Sequence, residues 1–299
     1  KIFFVGIGGS GMSGIAEVLI NLNYEVSGSD ISDSPIVDRL KSMGAQIHIG
    51  HKASNLDKAQ IIVVSSAIDS KNPELIEAQL RGIPVLARAE MLSSLMNMKR
   101  GIAIAGTHGK TTTTSMVTVI LQNAGKDPSF VIGSEMNESG SNAHQGTGDL
   151  FVVEADESDG TFLVIPTTVG IVTNVEPDHL NYWGTYEAVE QAFVDFIVGT
   201  GKRNGCAVVC GDDNGAKVVT ERARELGATV ITYGQQEGND AILTLLPSGS
   251  VGSEFTISFQ GTTHGPIKLL VPGVHNALNA TAAFIAALTQ GCTPEQCVA

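Results

Sequence analysis

Apolar and polar positions along this chain follow a repeated two-part pattern. A short, almost continuously apolar run is followed by a longer run with apolar residues at helical spacing. Residues 2–7 (IFFVGI) form the first such run, and Met12, Ile15, Val18, Leu19 and Leu22 then recur as one helical face. Unbroken apolar runs of this length are expected of parallel strands buried on both sides, and the spacing that follows is that of an amphipathic helix. The alternation predicts strands over 24–28, 46–49, 60–64 and 84–86, with helices over 38–43 and 73–81. It resumes with a strand over 101–105, a helix over 112–124, and strands over 150–153, 169–172, 207–209 and 229–233. Residues 254–259 and 267–271 alternate and are joined by the turn-rich stretch 260–266, which predicts a hairpin. An Ala-rich helix over 276–289 follows, and no internal repeat is visible. Strands alternating with helices predict an α/β fold.

Composition refines this picture. A length of 299 residues suits two domains, placed at 1–98 and 99–299 because the strand at 101–105 opens a new glycine-rich turn. The net charge of −13 argues against nucleic acid or an anionic membrane as a general partner, so any polyanion must be bound locally. No apolar stretch approaches the ~18 residues of a membrane span. Cys206, Cys210, Cys292 and Cys297 match no CxxC metal pair and are expected as reduced thiols in a cytoplasmic protein. A chain opening at Lys1 directly into a core strand is expected to lack some N-terminal residues.

Two glycine turns carry the candidate chemistry. In the first, Gly6-Ile7-Gly8-Gly9-Ser10-Gly11 follows a strand and precedes the helix that begins at Met12-Ser13. Asp30 stands about 20 residues further on, at the end of the next strand. This is the arrangement of a Rossmann-type βαβ unit. Ligands of such sheets sit beyond the strand C-termini, where Gly8, Gly9, Ser10, Gly11, Met12, Ser13, Asp30, Ser65 and Ser66 all fall. On the glycines and Asp30 alone, an NAD-dependent dehydrogenase and purely structural glycines both stay open.

The second turn reads Gly106-Thr107-His108-Gly109-Lys110-Thr111-Thr112 between an apolar strand and a helix. The longer consensus GxxxxGK[ST] is not met, because Ile104 stands where its first glycine belongs; the tighter GTxGKT fits. Glycines let backbone N–H groups converge on an anion at a helix N-terminus. Lys110 is then suited to the β- and γ-phosphates of ATP and the Thr111 hydroxyl to Mg²⁺. Glu154, ending another apolar strand, is placed to hold the same Mg²⁺, whereas Asp156, Glu157 and Asp159 read equally well as a solvated loop. His179, in NVEPDHL, is a candidate for a metal or a transferring phosphoryl group, against the plainer reading of a hydrogen-bonding loop residue. Asn276 and Asn279 are three apart in a first helical turn and offer donor and acceptor to a purine edge; Asn276 serves equally as a helix cap. A non-catalytic nucleotide-binding switch would use the same loop.

GTHGKTTTT, EADESD, NVEPDHL and HNALNATAA occur in that order behind GIGGSGMSGIAEVL, and together they resemble the Mur ligase family of peptidoglycan synthesis over essentially the whole chain. The resemblance implies an N-terminal Rossmann-like parallel-sheet domain that binds a UDP-sugar. It also implies a central P-loop NTPase-like α/β domain that binds ATP and Mg²⁺. The family's third, C-terminal Rossmann-like domain is expected to be absent here, which would leave nucleotide binding with little ligation. His108 and the opening glycine turn look like the member that joins L-alanine to UDP-N-acetylmuramate. A member that attaches a recycled tripeptide to the same sugar nucleotide shares the histidine. By the resemblance, the carboxylate of the sugar nucleotide attacks the ATP γ-phosphate and the incoming amine then attacks the acyl phosphate. Thr111, Glu154 and His179 would be metal residues, Lys110, Glu154 and His179 catalytic, and Asn276 and Asn279 adenine contacts. The first-domain glycines and Asp30 would serve the UDP moiety instead of NAD. Asn181 stands where family members often carry an acid, and no role is given to it.

Overall fold

The computed structural model describes residues 1–133, 142–158, 160–247 and 252–298, with the side chain of Ser10 left out. Asp159 therefore lies outside the described residues, and Ser10 is described as backbone only. The chain divides into two compact units, 1–98 with 129–146, and 99–128 with 147–299.

In the first unit five strands alternate with helices: β1 (Ile2–Val5), α1 (Ser10–Asn21), β2 (Val26–Asp30), α2 (Pro35–Ser42), β3 (Gln46–Ile49), β4 (Ile61–Val64), α3 (Pro73–Arg81), β5 (Val85–Ala87) and α4 (Arg88–Met96). The sheet is wholly parallel with order β3-β2-β1-β4-β5, so the connections reverse direction beside β1. A crevice at such a reversal, beyond the strand C-termini, is where open α/β sheets hold ligands. Central β1 is fully buried, and Phe3 and Val5 pack with Leu56, Ala59, Ile62 and Ala78 on one face. Gly28 in β2 allows a close approach, because a Cβ there would lie 2.7 Å from the Phe4 carbonyl oxygen. Residues 129–146 lie within the sequence span of the second unit but belong to the first. There β7 (Ser129–Val131) pairs antiparallel with β8 (Ala143–His144), and a Cβ on Gly14 of α1 would meet Val131 at 2.9 Å.

The second unit contains β6 (Arg100–Ala105), α5 (Lys110–Asn123), β9 (Leu150–Glu154), β10 (Val169–Val172), α6 (Leu180–Trp183), α7 (Tyr186–Gly201), β11 (Cys206–Cys210), α8 (Asn214–Glu225), β12 (Val230–Gly234), β13 (Ala241–Leu246), β14 (Ser253–Phe259), β15 (Thr262–Leu269), α9 (Val274–Thr289) and α10 (Pro294–Val298). Its strands run in the order β15-β14-β13-β12-β11-β10-β6-β9, parallel from β9 to β13 and antiparallel at the last two. The expected hairpin is present but its turn is shorter: Gln260 and Gly261 alone make it, with φ of 50° and 77°. Residues 262–266 belong to β15, and its Pro266 is tolerated because β15 is the sheet edge. Helix α9 begins at Val274, two residues before the expected start, and Gly273 caps it in place of Asn276. From Ala280 to Ala287 every residue of α9 is buried, because small side chains let it lie close against α5. All four cysteines are free thiols.

Candidate nucleotide site

Strand β6 ends at Ala105, and the chain turns through Gly106 and Gly109 before α5 starts at Lys110. Gly106 has φ +134°, and a Cβ on it would lie 2.1 Å from Thr173 Oγ1, so only glycine fits. Gly109 caps α5 at φ +82°, with Asn279 packed against it: a Cβ there would sit 2.9 Å from Asn279 Oδ1. The residues after β10 clamp the loop from the other side. The His108 N–H donates to Asn174 Oδ1 (2.8 Å), and the His108 carbonyl accepts from Asn174 Nδ2 (3.0 Å) and Thr173 Oγ1 (2.6 Å). Thr107 Oγ1 accepts from the Glu176 N–H at 3.1 Å. The backbone of His108 is thus fixed while its ring stays 71% exposed, 3.7 Å from Glu176.

The two residues that define the loop's chemistry both face carboxylates. Lys110 Nζ donates to the Gly106 carbonyl (2.6 Å), the Thr107 carbonyl (3.3 Å) and Glu157 Oε1 (2.8 Å). Thr111 Oγ1 donates to Glu154 Oε2 at 3.0 Å, joining the first turn of α5 to the end of β9. Thr112 follows in the same turn. Glu157 is almost wholly buried, and burial raises its carboxyl above the usual range although Lys110 pulls the other way. Its loop is anchored by aromatic packing. Phe162 lies 5.3 Å from both Phe193 and Phe196, and Trp183 Nε1 donates to the Glu157 carbonyl at 2.9 Å. His179 reaches this cluster through Glu157, with Nε2 3.8 Å from Oε1, and also stands 3.7 Å from Asp178. A non-glycine residue at φ +53° is a sparsely populated backbone state, and such states cluster at functional positions.

Oxygen donors suit magnesium here. Two ligands on adjacent octahedral vertices at about 2.1 Å from Mg²⁺ stand about 3.0 Å apart. The separation of Thr111 Oγ1 and Glu154 Oε2 has that value. Among the described residues no group of three His, Cys, Asp or Glu could hold a metal. Mg²⁺ held by one or two protein oxygens, waters and phosphates needs no such cage. Asn276 and Asn279 part company: Asn279 is buried against Gly109, whereas Asn276 Nδ2 turns back to the Pro272 carbonyl at 2.8 Å.

In the first unit, the Gly8 N–H donates to Asp30 Oδ2 at 2.8 Å, which brings the glycine turn and the acid together. Met12 and Ser13 are buried in the first turn of α1, with their N–H groups on the Gly9 carbonyl. Ser65 Oγ accepts from the Ala67 N–H at 3.3 Å, and Ser66 lies in the same turn after β4. Sequence reasoning missed Arg88, whose Nη1 would lie 2.9 Å from a Cβ on Gly11 and which sets a cation at the glycine turn. It noted Thr173 and Asn174 in the stretch after an apolar strand but gave them no role; the clamp they make on the loop is visible only in the fold.

The parallel first sheet, the mixed second sheet and the strand–loop–helix unit at Gly106 to Lys110 define an α/β protein with a Rossmann-like first unit and a phosphate-loop-like second unit. Residues 1–100 match the family model described as Mur ligase family, catalytic domain, and residues 104–287 match the Mur ligase middle domain. The chain belongs to the Mur ligase family. The UDP-N-acetylmuramate–L-alanine ligase of Lawsonia intracellularis is 47% identical over 298 residues, covering 100% of this chain and 65% of the relative. Among solved structures, UDP-N-acetylmuramate–alanine ligase from Thermotoga maritima matches at TM-score 0.86 and 28% identity, covering 100% of this chain and 67% of that one. UDP-N-acetylmuramate:L-alanyl-γ-D-glutamyl-meso-diaminopimelate ligase from Neisseria meningitides matches at TM-score 0.87 and 26% identity, covering 99% and 95%. The chain thus spans just under two thirds of the length of the curated relative. Among the described residues no helix is long and apolar enough to cross a membrane.

Proposed function

We propose that this chain supplies the UDP-sugar and ATP units of a ligase that joins L-alanine to the lactyl carboxylate of UDP-N-acetylmuramate. The observation that carries this is Lys110 and Thr111 at a clamped phosphate loop, each facing its own carboxylate, in a chain 47% identical to a ligase of that name. The carboxylate oxygen attacks the γ-phosphorus of ATP, the bond to the β–γ bridging oxygen breaks, and ADP leaves. The L-alanine amine then attacks the acyl carbonyl, loses a proton, and expels phosphate as the amide forms.

Lys110 neutralises the charge that builds on the β- and γ-phosphates, and the N–H groups of the loop hold them in line. Removing a positioned charge of this kind commonly costs roughly 10²–10³ in rate. Thr111 and Glu154 hold Mg²⁺, which supplies charge neutralisation at the phosphates when bound. His179 stands beside Glu157 toward the transferring phosphoryl group. Asn279, seated on Gly109, faces the nucleotide more directly than Asn276 does. In the first unit the glycine turn at Gly8 to Gly11, Asp30 and the Ser65–Ser66 turn receive the UDP moiety, with Arg88 supplying positive charge for its diphosphate. This reading assigns the enzyme to the cytoplasm, in keeping with its four free thiols.

The test is phosphate release by the full-length protein, expected to require ATP, Mg²⁺, UDP-N-acetylmuramate and L-alanine together and to be lost in Lys110→Ala. Turnover that ignores L-alanine and uses a tripeptide would move the assignment to the reaction named for the Neisseria structure.

A further inference from the structure

An ammonium group has three protons to donate, and Lys110 has placed all three. Its acceptors are the carbonyls of Gly106 and Thr107 and the carboxylate of Glu157, at 2.6, 3.3 and 2.8 Å. A phosphate oxygen can therefore bond to Lys110 only by displacing one of them. The two carbonyls belong to the loop itself. Glu157 is the acceptor that carries the same sign of charge as the phosphate, so it is the one that must give way.

Glu157 is also poised to move. Among the described residues its Oε2 is buried without a hydrogen-bond partner, its side chain is 5% exposed, and Lys110 is 16% exposed. A buried carboxylate with one oxygen unsatisfied is an expensive arrangement, retained here by Lys110 at 2.8 Å, with the His179 ring 3.8 Å from the same oxygen. The backbone beneath it is fixed by the indole of Trp183, so displacement is a matter of the side chain alone.

We propose that Glu157 is the resident counter-ion of Lys110, a positioning residue that occupies the lysine until nucleotide phosphate displaces it and so lowers nucleotide affinity through Lys110. The inference rests on the reading of the loop as a nucleotide phosphate site.

The test is a titration with a non-hydrolysable ATP analogue in EDTA, where no divalent cation takes over the displaced carboxylate, read by calorimetry. Trp183, the chain's one tryptophan, reports independently because it bonds the Glu157 backbone. Glu157→Gln keeps the shape and removes the charge, and is expected to bind the analogue about tenfold more tightly than wild type, the scale of one charged hydrogen bond. Glu157→Asp, whose shorter arm pulls the carboxylate off Lys110, is expected to gain part of this and stands in if the glutamine variant fails to melt cooperatively. In the Lys110→Ala background the gain is expected to vanish, which a merely structural role for Glu157 would not produce. Unchanged or weaker binding by both Glu157 variants, or a gain that survives the loss of Lys110, overturns the proposal. Lys110→Ala binding the analogue as well as wild type would instead refute the phosphate-loop reading itself.

Discussion

Gly106→Ala puts the loop's geometry to the sharpest test. The new methyl would stand 2.1 Å from Thr173 Oγ1 and 3.1 Å from the backbone nitrogens of Thr173 and Asn174, at φ +134°. Backbone nitrogens in a buried strand end cannot retreat cheaply, so the hydroxyl of Thr173 must. It then loses its bonds to the carbonyls of His108 (2.6 Å) and Ala105 (3.3 Å). The positive φ costs an L-residue about 1–2 kcal/mol, and the two hydrogen bonds about 1 kcal/mol each. The sum is about 3–4 kcal/mol, which for a unit of this size lowers the melting temperature by roughly 6–16 °C. Trp183 lies in the second unit, so its fluorescence during denaturation reports on that unit alone. The side-chain part of the cost is separable: Thr173→Ala removes the obstructing hydroxyl. The double variant is therefore expected to be more stable than the sum of the two singles by about 1–2 kcal/mol. A Gly106→Ala protein that melts with wild type, or a double variant that is strictly additive, would refute the account of why this position is glycine.

Other outcomes are equally specific. Thr111→Ala is expected to weaken nucleotide binding about tenfold in Mg²⁺ and hardly at all in EDTA, because on the proposed reading its hydroxyl is a ligand of the cation; calorimetry in the two buffers checks it. Phe162→Ala empties the centre of the ring cluster with Phe193 and Phe196 and is expected to cost about 3–5 kcal/mol by denaturant titration. Glu74→Gln breaks a buried network in which the carboxylate accepts from Ser29 Oγ (2.7 Å) and Asn55 Nδ2 (2.7 Å) and meets His51 Nδ1 at 3.0 Å. Its expected cost is about 2–4 kcal/mol, seen as faster amide exchange in β2 and α3. Burial pushes the Cys297 thiol from an ordinary 9.0 up to about 12. Raising the pH to 8 therefore leaves it protonated, and its alkylation is expected to run roughly 10³-fold slower than in the denatured chain.

Much of this protein was written in local sequence. Strands such as IFFV and LFVVE are unbroken apolar runs because parallel strands bury both faces, and that pattern needs no distant partner to be read. The glycine–lysine–threonine loop was legible for the same reason: strand end, turn and helix start are contiguous. Legibility failed where the partner is remote. Residues 129–146 are the clearest case, joining the first unit against their place in the sequence, whereas β13 is itself an apolar run, AILTLL, that the reading of the sequence passed over. Glu157 read equally well as part of a solvated acidic loop; it is buried because Phe162 anchors its loop on α7 and Trp183 holds its carbonyl. Asn276 was open to a capping role that Asn279 was not, yet α9 is capped at Gly273, with Asn276 turned back to Pro272 and Asn279 set on Gly109. Sequence by itself determined the kind of loop and the chemistry it can hold, since those depend on neighbours along the chain. Only the tertiary structure decided which acid meets the lysine, because that contact joins residues 47 positions apart, through packing no local pattern encodes.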